Sequence, residues 1–398
     1  MKYNFDQIIE RKNTGSSKWD LNQVLFGTDD VLDMWVADMD FPCPEPVVNA
    51  IKKRAEHPIF GYTFPSADLN KAVVDKMKRD YGWEIKPEWI VYCTGIVSGV
   101  YSAVKSLTMP GDQIVIQPPV YYPFYASIKD NGCHVIQNNL KFNGEHYEMD
   151  LEDLEMKFKP KTSFPPSNPR IRGLILCHPH NPVGRVYSKE ELKALGDLCM
   201  KYNCPIISDE IHCDLLIKGV THTPTAMISK ELEQFTITFM SASKTFNIAG
   251  LPASVAIIPN PEWRAKFVAA RAGQSGINIF GLVALEAAFR DGKEYQEQLS
   301  EYLNENMKYF QDYIEKHIPK LKMIKPEGTY LAWVDMKGLG FNNEELREFM
   351  LKKARLALDD GFIFGTGGEG FQRFNLACPR AYVTEALKRL EKAVNALA

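Results

Sequence analysis

Thr236-Ile237-Thr238-Phe239-Met240-Ser241-Ala242-Ser243-Lys244 decides how the chain is read: an apolar and β-branched run passes straight into two serines and a lysine. A run this short, closed by hydroxyl residues, reads as a buried strand. Six further runs share its texture: Trp89–Thr94, Gln113–Gln117, Cys133–Asn138, Gly173–His178, Pro205–Asp209 and Ser254–Pro259. Helical stretches separate them. In Ser188 to Tyr202, Ser188 and Glu191 have the spacing of a capping box, and Leu192, Leu195, Leu198 and Cys199 mark an apolar face. Strands alternating with helices predict an α/β domain built on one large, seven-stranded, mostly parallel sheet.

Working outward, the texture changes near Gly281 to long amphipathic helices, Leu282–Phe289 and Lys293–Ile318, a short sheet region around Thr329–Asp335 and a last helix from Val383. This predicts a second, smaller α+β domain, with residues 46–284 forming the large domain and residues 1–45 and 285–398 the small one. The Pro-rich stretch Lys159 to Pro169 reads as an exposed connection. With 45% hydrophobic and 24% charged residues in 398, the chain has the composition of a compact globular protein, which excludes disorder as its main state. Forty-seven Lys plus Arg against 50 Asp plus Glu leave a net charge of -3, so no overall field draws nucleic acid or anionic lipid. The eight cysteines form no C-x-x-C and sit in apolar runs, as buried thiols of a reducing compartment do. The first residues show no apolar stretch, and nowhere do 18 apolar residues run together, so a cytoplasmic protein without a membrane span is expected.

Several motifs stand at expected strand ends, where ligands bind in open α/β sheets. Lys244, beside Ser241 and Ser243, suits a Schiff-base lysine with hydroxyls for an anion, although a surface lysine on a turn has the same signature. Asp209 reaches the same edge; a carboxylate there suits a pyridinium nitrogen, and equally a helix cap. In His178-Pro179-His180-Asn181-Pro182-Val183-Gly184, Asn181 projects from a loop fixed by prolines. The same stretch raises a metal reading through His178, His180, Cys177, His212 and Cys213, but no spacing matches a zinc pattern. Cys93 to Gly99 turns a strand into the helix Val97–Leu107, whose first N–H groups suit a phosphate. Pro118 to Phe124 offers Tyr121 as a flat stacking surface. Gly365 to Gly370 satisfies G-x-G-x-x-G but leads into Phe371-Gln372-Arg373-Phe374, which alternates like a strand, so it is no dinucleotide fingerprint. Arg373 suits a bidentate grip on a carboxylate, or a surface ion pair.

In this order (glycine turn, tyrosine, Asn-Pro, Asp, Ser-x-Ser-Lys, late Arg) the motifs resemble those of fold type I pyridoxal phosphate enzymes, the aspartate aminotransferase superfamily. The strings Met34-Trp35-Val36-Ala37-Asp38-Met39-Asp40-Phe41, Ser208 to Asp214 and Arg373 to Arg380 resemble its MalY/PatB branch, the cystathionine β-lyase-type C–S lyases. The resemblance implies pyridoxal 5'-phosphate as cofactor, with Lys244 its covalent anchor and general base and Asp209 its pyridinium partner. It also implies Asn181 and His212 at the phenolic oxygen, and Tyr121 stacked on the ring. Phosphate would sit on the Ile96 and Val97 backbone with Ser241 and Ser243, and substrate against Arg373 and Ala37. Tyr62 in Gly61-Tyr62 would reach the phosphate of a neighbouring subunit, implying a homodimer with shared sites.

Two departures bear on activity. Pro252 stands where many aminotransferases of this fold carry a phosphate-gripping arginine, and His212 where many carry a tyrosine. Both fit the C–S lyase branch, whose reaction is α,β-elimination of L-cystathionine or another S-substituted cysteine to thiol, pyruvate and ammonia. The alternatives are a class I/II aminotransferase and a non-catalytic sensor on the same fold. Against the sensor, the catalytic set is intact and the Trp35 string begins too early to leave room for a preceding helix-turn-helix. Loops Phe60–Ser66 and Gly276–Phe280 are expected to set the pocket's size.

Overall fold

The computed structural model describes residues 2–159 and 170–397. All seven expected strands form: β1 (Ile90–Cys93), β2 (Gln113–Ile116), β3 (His134–Gln137), β4 (Ile171–Cys177), β5 (Ile206–Asp209), β6 (Thr236–Met240) and β7 (Ser254–Ile257). They make one sheet in the order β1-β7-β6-β5-β4-β2-β3. Only β7 runs against its neighbours; the other pairings are parallel. The inner strands are largely apolar because helices cover both faces, and Leu174, Ile175, Leu176, Ile206 and Ile207 are wholly buried. Cys177 of β4, Asp209 of β5 and Phe239 of β6 stand level across the sheet. The loops after them therefore open at one edge.

Helix α1 (Ile96–Leu107) follows β1 through Gly95, whose φ of 95° is closed to most side chains. It packs hard on the sheet: a Cβ at Gly99 would come within 2.5 Å of the Phe239 ring. Helix α2 (Lys189–Lys201) carries the capping box in full, with Ser188 accepting from the Glu191 N–H and Glu191 from that of Ser188. The expected exposed connection falls on residues 160–169, outside the described residues.

Beyond the sheet lie α3 (Ile279–Asp291), α4 (Lys293–His317) and a four-stranded antiparallel sheet, β8 (Lys322–Met323), β9 (Leu331–Asp335), β10 (Asp359–Asp360) and β11 (Phe371–Asn375), ordered β8-β9-β11-β10. The last helix, α5 (Arg380–Asn395), begins three positions before the expected Val383, directly after Pro379. Arg380-Ala381-Tyr382 carry no apolar periodicity to announce it. Strand β9 starts two places late because Thr329 has a φ of 69°, a turn conformation that a β-branched residue rarely takes. Met307, Phe310 and Ile314 of α4 pack with Val383, Leu387 and Leu390 of α5 against Val334 and Phe374 of this sheet in a separate apolar cluster. No described helix is long and apolar enough to cross a membrane.

Candidate active site

A cavity of about 330 Å³ opens at the carboxyl edge of the large sheet. Every candidate except Tyr62 lines it: Ala37, Ile96, Val97, Tyr121, Asn181 and Asp209 on some walls, His212, Ser241, Ser243, Lys244 and Arg373 on the others. Tyr62 is fully exposed and away from it. Neither the Phe60–Ser66 nor the Gly276–Phe280 loop contributes to the walls, which corrects their expected role within one chain. The two loops meet each other instead, the Phe60 and Phe280 ring centroids 5.6 Å apart.

Lys244 Nζ donates to the Ala37 carbonyl at 2.6 Å, and the Tyr330 hydroxyl donates to the same oxygen at 2.8 Å. That carbonyl is held in place because the segment around it is pinned from two sides. Asn375 Nδ2 donates to the Val36 and Asp38 carbonyls at 2.7 and 2.6 Å, while Asn247 takes both the N–H and the C=O of Met39. Burial, helped by the Arg373 charge, lowers Lys244 to about 8, so free amine is available in mildly basic solution. Asp209 ends β5 wholly buried, and burial pushes its carboxyl up to about 7. Its one hydrogen bond among the described residues comes from the Ile211 N–H at 3.1 Å.

Arg373 lies on β11 directly opposite Asp359 of β10. Its Nη1 donates to Asn181 Oδ1 at 2.9 Å, and its Nη2 to the Trp35 carbonyl at 3.0 Å and to Asp359 Oδ2. Because Asn181 spends its oxygen on Arg373, its amide NH2 is left as the donor. At the other end, Gly95 caps α1 without a side-chain bond, leaving the first N–H groups, those of Ile96 and Val97, to a ligand. Ser241 is taken up within its loop, bonding the Ala253 carbonyl at 2.9 Å and accepting from the Ser243 N–H at 3.1 Å, whereas the Ser243 hydroxyl meets only Ser241 Oγ, at 3.1 Å, among the described residues and keeps its own proton to donate. Among the described lining residues Arg373 is the sole guanidinium, and Pro252 forms part of the wall. His212 is kept neutral by burial and then by the Lys244 charge, and its Nδ1 is buried without a partner among the described residues. The metal reading loses its ligands: His180 bonds the Pro119 carbonyl at 2.9 Å and the Tyr187 hydroxyl at 3.0 Å, while His178 meets the Thr223 carbonyl at 3.3 Å and accepts from the Tyr187 N–H at 3.4 Å.

Asp359, Tyr330 and Tyr122 are the site residues that sequence reading missed. Asp359 follows the apolar run Leu356-Ala357-Leu358, a signal that gains meaning only once its strand is paired with the one carrying Arg373.

The sequence profile of aminotransferase class I and II matches residues 29–390. The chain belongs to this family. Within it, the chain is 43% identical to cystathionine β-lyase PatB of Bacillus subtilis (strain 168), over 98% of its own length and all of that protein's. Cystalysin of Treponema denticola, solved with a pyridoxal 5'-phosphate cofactor, superposes with a TM-score of 0.95 at 37% identity, each chain covered in full. The pyridoxal-phosphate-bound C–S lyase of Staphylococcus hominis gives 0.90 at 33% identity, covering 99% of this chain and 98% of that one.

This family member takes pyridoxal phosphate, and the chemistry of the cavity fits it. A buried carboxylate with a single N–H partner lacks the cation that would justify its charge, and a protonated ring nitrogen supplies one. The uncapped helix start suits the phosphate, and Lys244 suits the aldehyde.

Removing the cofactor exposes this dependence in stability. An acid whose value in the fold is raised is favoured while neutral, so its contribution is intact below its ordinary 3.8 and lost as pH climbs to about 7, on the order of 4 kcal/mol. Cofactor-free Asp209→Asn protein should therefore melt several degrees above cofactor-free wild type at pH 8, with the gap closing near pH 4. Thermal melts of both proteins at the two pH values check this; an equal gap at both contradicts it.

Proposed function

We propose that the chain is a pyridoxal-phosphate-dependent carbon–sulfur lyase of the cystathionine β-lyase type, cleaving L-cystathionine or related S-substituted L-cysteines to thiol, pyruvate and ammonia. The observation that carries the reading is a cavity holding a lysine lowered to about 8 and an unpaired buried carboxylate, in a chain 43% identical to a cystathionine β-lyase over nearly its whole length. When bound, the cofactor supplies an aldehyde for the substrate amine and a ring that absorbs the electron pair left at the α-carbon.

The residues divide the remaining work. Arg373 binds the substrate's α-carboxylate, and Asn181, its amide oriented by Arg373, donates to the cofactor's phenolic oxygen from the donor end. Asp209 holds a proton on the ring nitrogen. Tyr121 covers a ring face and Ser243, with the Ile96 and Val97 N–H groups, receives the phosphate. Lys244 takes the α-proton onto Nζ, and the Cβ–S pair leaves with the sulfur as a thiolate. The 2-aminoacrylate that remains hydrolyses to pyruvate and ammonia.

Incubation with L-cystathionine and no 2-oxo acid tests this: homocysteine and pyruvate should appear in equal amounts. Absence of pyruvate, with amine passing to added 2-oxoglutarate instead, would make the chain an aminotransferase.

A homodimer is part of the proposal. Ile59, Phe60, Tyr62 and Phe64 form an exposed apolar and aromatic run of the kind that marks an interface, which supports Tyr62 completing the partner's phosphate site. Tyr62→Phe should weaken cofactor retention about tenfold to a hundredfold, the worth of one hydrogen bond to a charged group. Equilibrium dialysis against pyridoxal phosphate measures it, and unchanged retention would remove Tyr62 from the site. A cytoplasmic location is supported by eight cysteines that are all free thiols.

A further inference from the structure

The Arg373 guanidinium offers five N–H groups, and their assignment constrains how substrate seats. A two-pronged grip on a carboxylate uses either the edge shared by Nε and Nη2 or the edge shared by Nη1 and Nη2, so it always needs one Nη2 N–H. Both are engaged, one by the Trp35 carbonyl and one by Asp359 Oδ2, while Nε is buried without a partner among the described residues. No edge is free. Trp35 accepts through its backbone, next to the pinned Val36, whereas Asp359 accepts through a side chain that also lines the cavity.

We infer that Asp359 is a positioning residue that holds Arg373 until the substrate's α-carboxylate replaces it on Nη2. The inference rests on the lyase reading, which places that carboxylate at Arg373. Exchange of one carboxylate for another keeps the guanidinium's charge balanced; retaining both would set two like charges on one cation. The strand register builds the arrangement, since Asp359 and Arg373 are directly opposed on β10 and β11, and the Phe364 ring packs 4.9 Å from the guanidinium carbon. Asp359 thereby lowers affinity for every ligand that binds through a carboxylate and leaves other ligands untouched.

Two fragments of S-methyl-L-cysteine separate these effects on the pyridoxal-phosphate-loaded protein. 3-(Methylthio)propanoate keeps the carboxylate and lacks the amine; S-methylcysteamine keeps the amine and lacks the carboxylate. In Asp359→Asn, calorimetry should find the acid bound about tenfold more tightly than in wild type, with the amine's affinity, read from the cofactor absorbance, unchanged. KM for S-methyl-L-cysteine should fall by a similar factor while kcat moves less. Weaker or equal binding of the acid would overturn the inference, as would an equal shift for the amine. Should Asp359→Asn fail to take up the cofactor, Asp359→Ser carries the same comparison. Pyruvate formation by the wild type tests the lyase reading separately, because the calorimetric comparison needs no turnover.

Discussion

Lys244→Ala protein should release thiol from L-cystathionine at least about a thousandfold more slowly than wild type, with the loss in kcat and little change in fold. One side chain is asked for two tasks, anchoring the cofactor and moving the α-proton, and among the described lining residues Lys244 is the sole amine. His212 is another base on the cavity wall, but burial, the largest cause, and the Arg373 charge, both of which remain once Lys244 is gone, push its value below the usual range, so it is a poor proton acceptor. Tyr121 and Tyr122 are held protonated by burial. Stopped-flow or steady-state thiol detection checks the rate. A Lys244→Ala protein retaining a tenth of wild-type activity would move the base elsewhere.

Asp209→Asn should lower kcat on the order of a thousandfold, about the loss seen when one preorganised electrostatic partner is removed. The amide keeps the shape and can still accept from the Ile211 N–H, so packing is preserved. It cannot hold a full proton on the ring nitrogen in a site where the lone pair must go somewhere as the α-proton leaves. The same substitution that disables the loaded enzyme should stabilise the cofactor-free fold above neutral pH. Opposite signs in activity and stability are the mark of a strained functional group. Equal losses in both would make Asp209 an ordinary structural cap.

Much of this was legible in the chain because strand ends carry the chemistry. The seven runs of the large sheet are short, apolar and bounded by hydroxyl, proline or glycine residues, and all seven formed within two residues of their expected bounds. Lys244, Asp209 and Asn181 were visible since each ends such a strand or lies four residues past its end. Asp359 was not visible, because its role is set by its opposite number across an antiparallel pair of strands, and register is not written locally. Tyr330 was lost for a similar reason: its hydroxyl meets the Ala37 carbonyl from the far end of the chain. Tyr62 is expected at the site only by resemblance, and in one chain it stands exposed and outside the cavity.

The claim on which the rest depends is that pyridoxal phosphate is joined to Lys244. Borohydride reduction of the loaded protein, followed by proteolysis and mass spectrometry, locates that bond. A pyridoxyl phosphate group fixed on the Lys244 peptide, at about one per chain, is the predicted result; the group on another lysine, or on none, would contradict it.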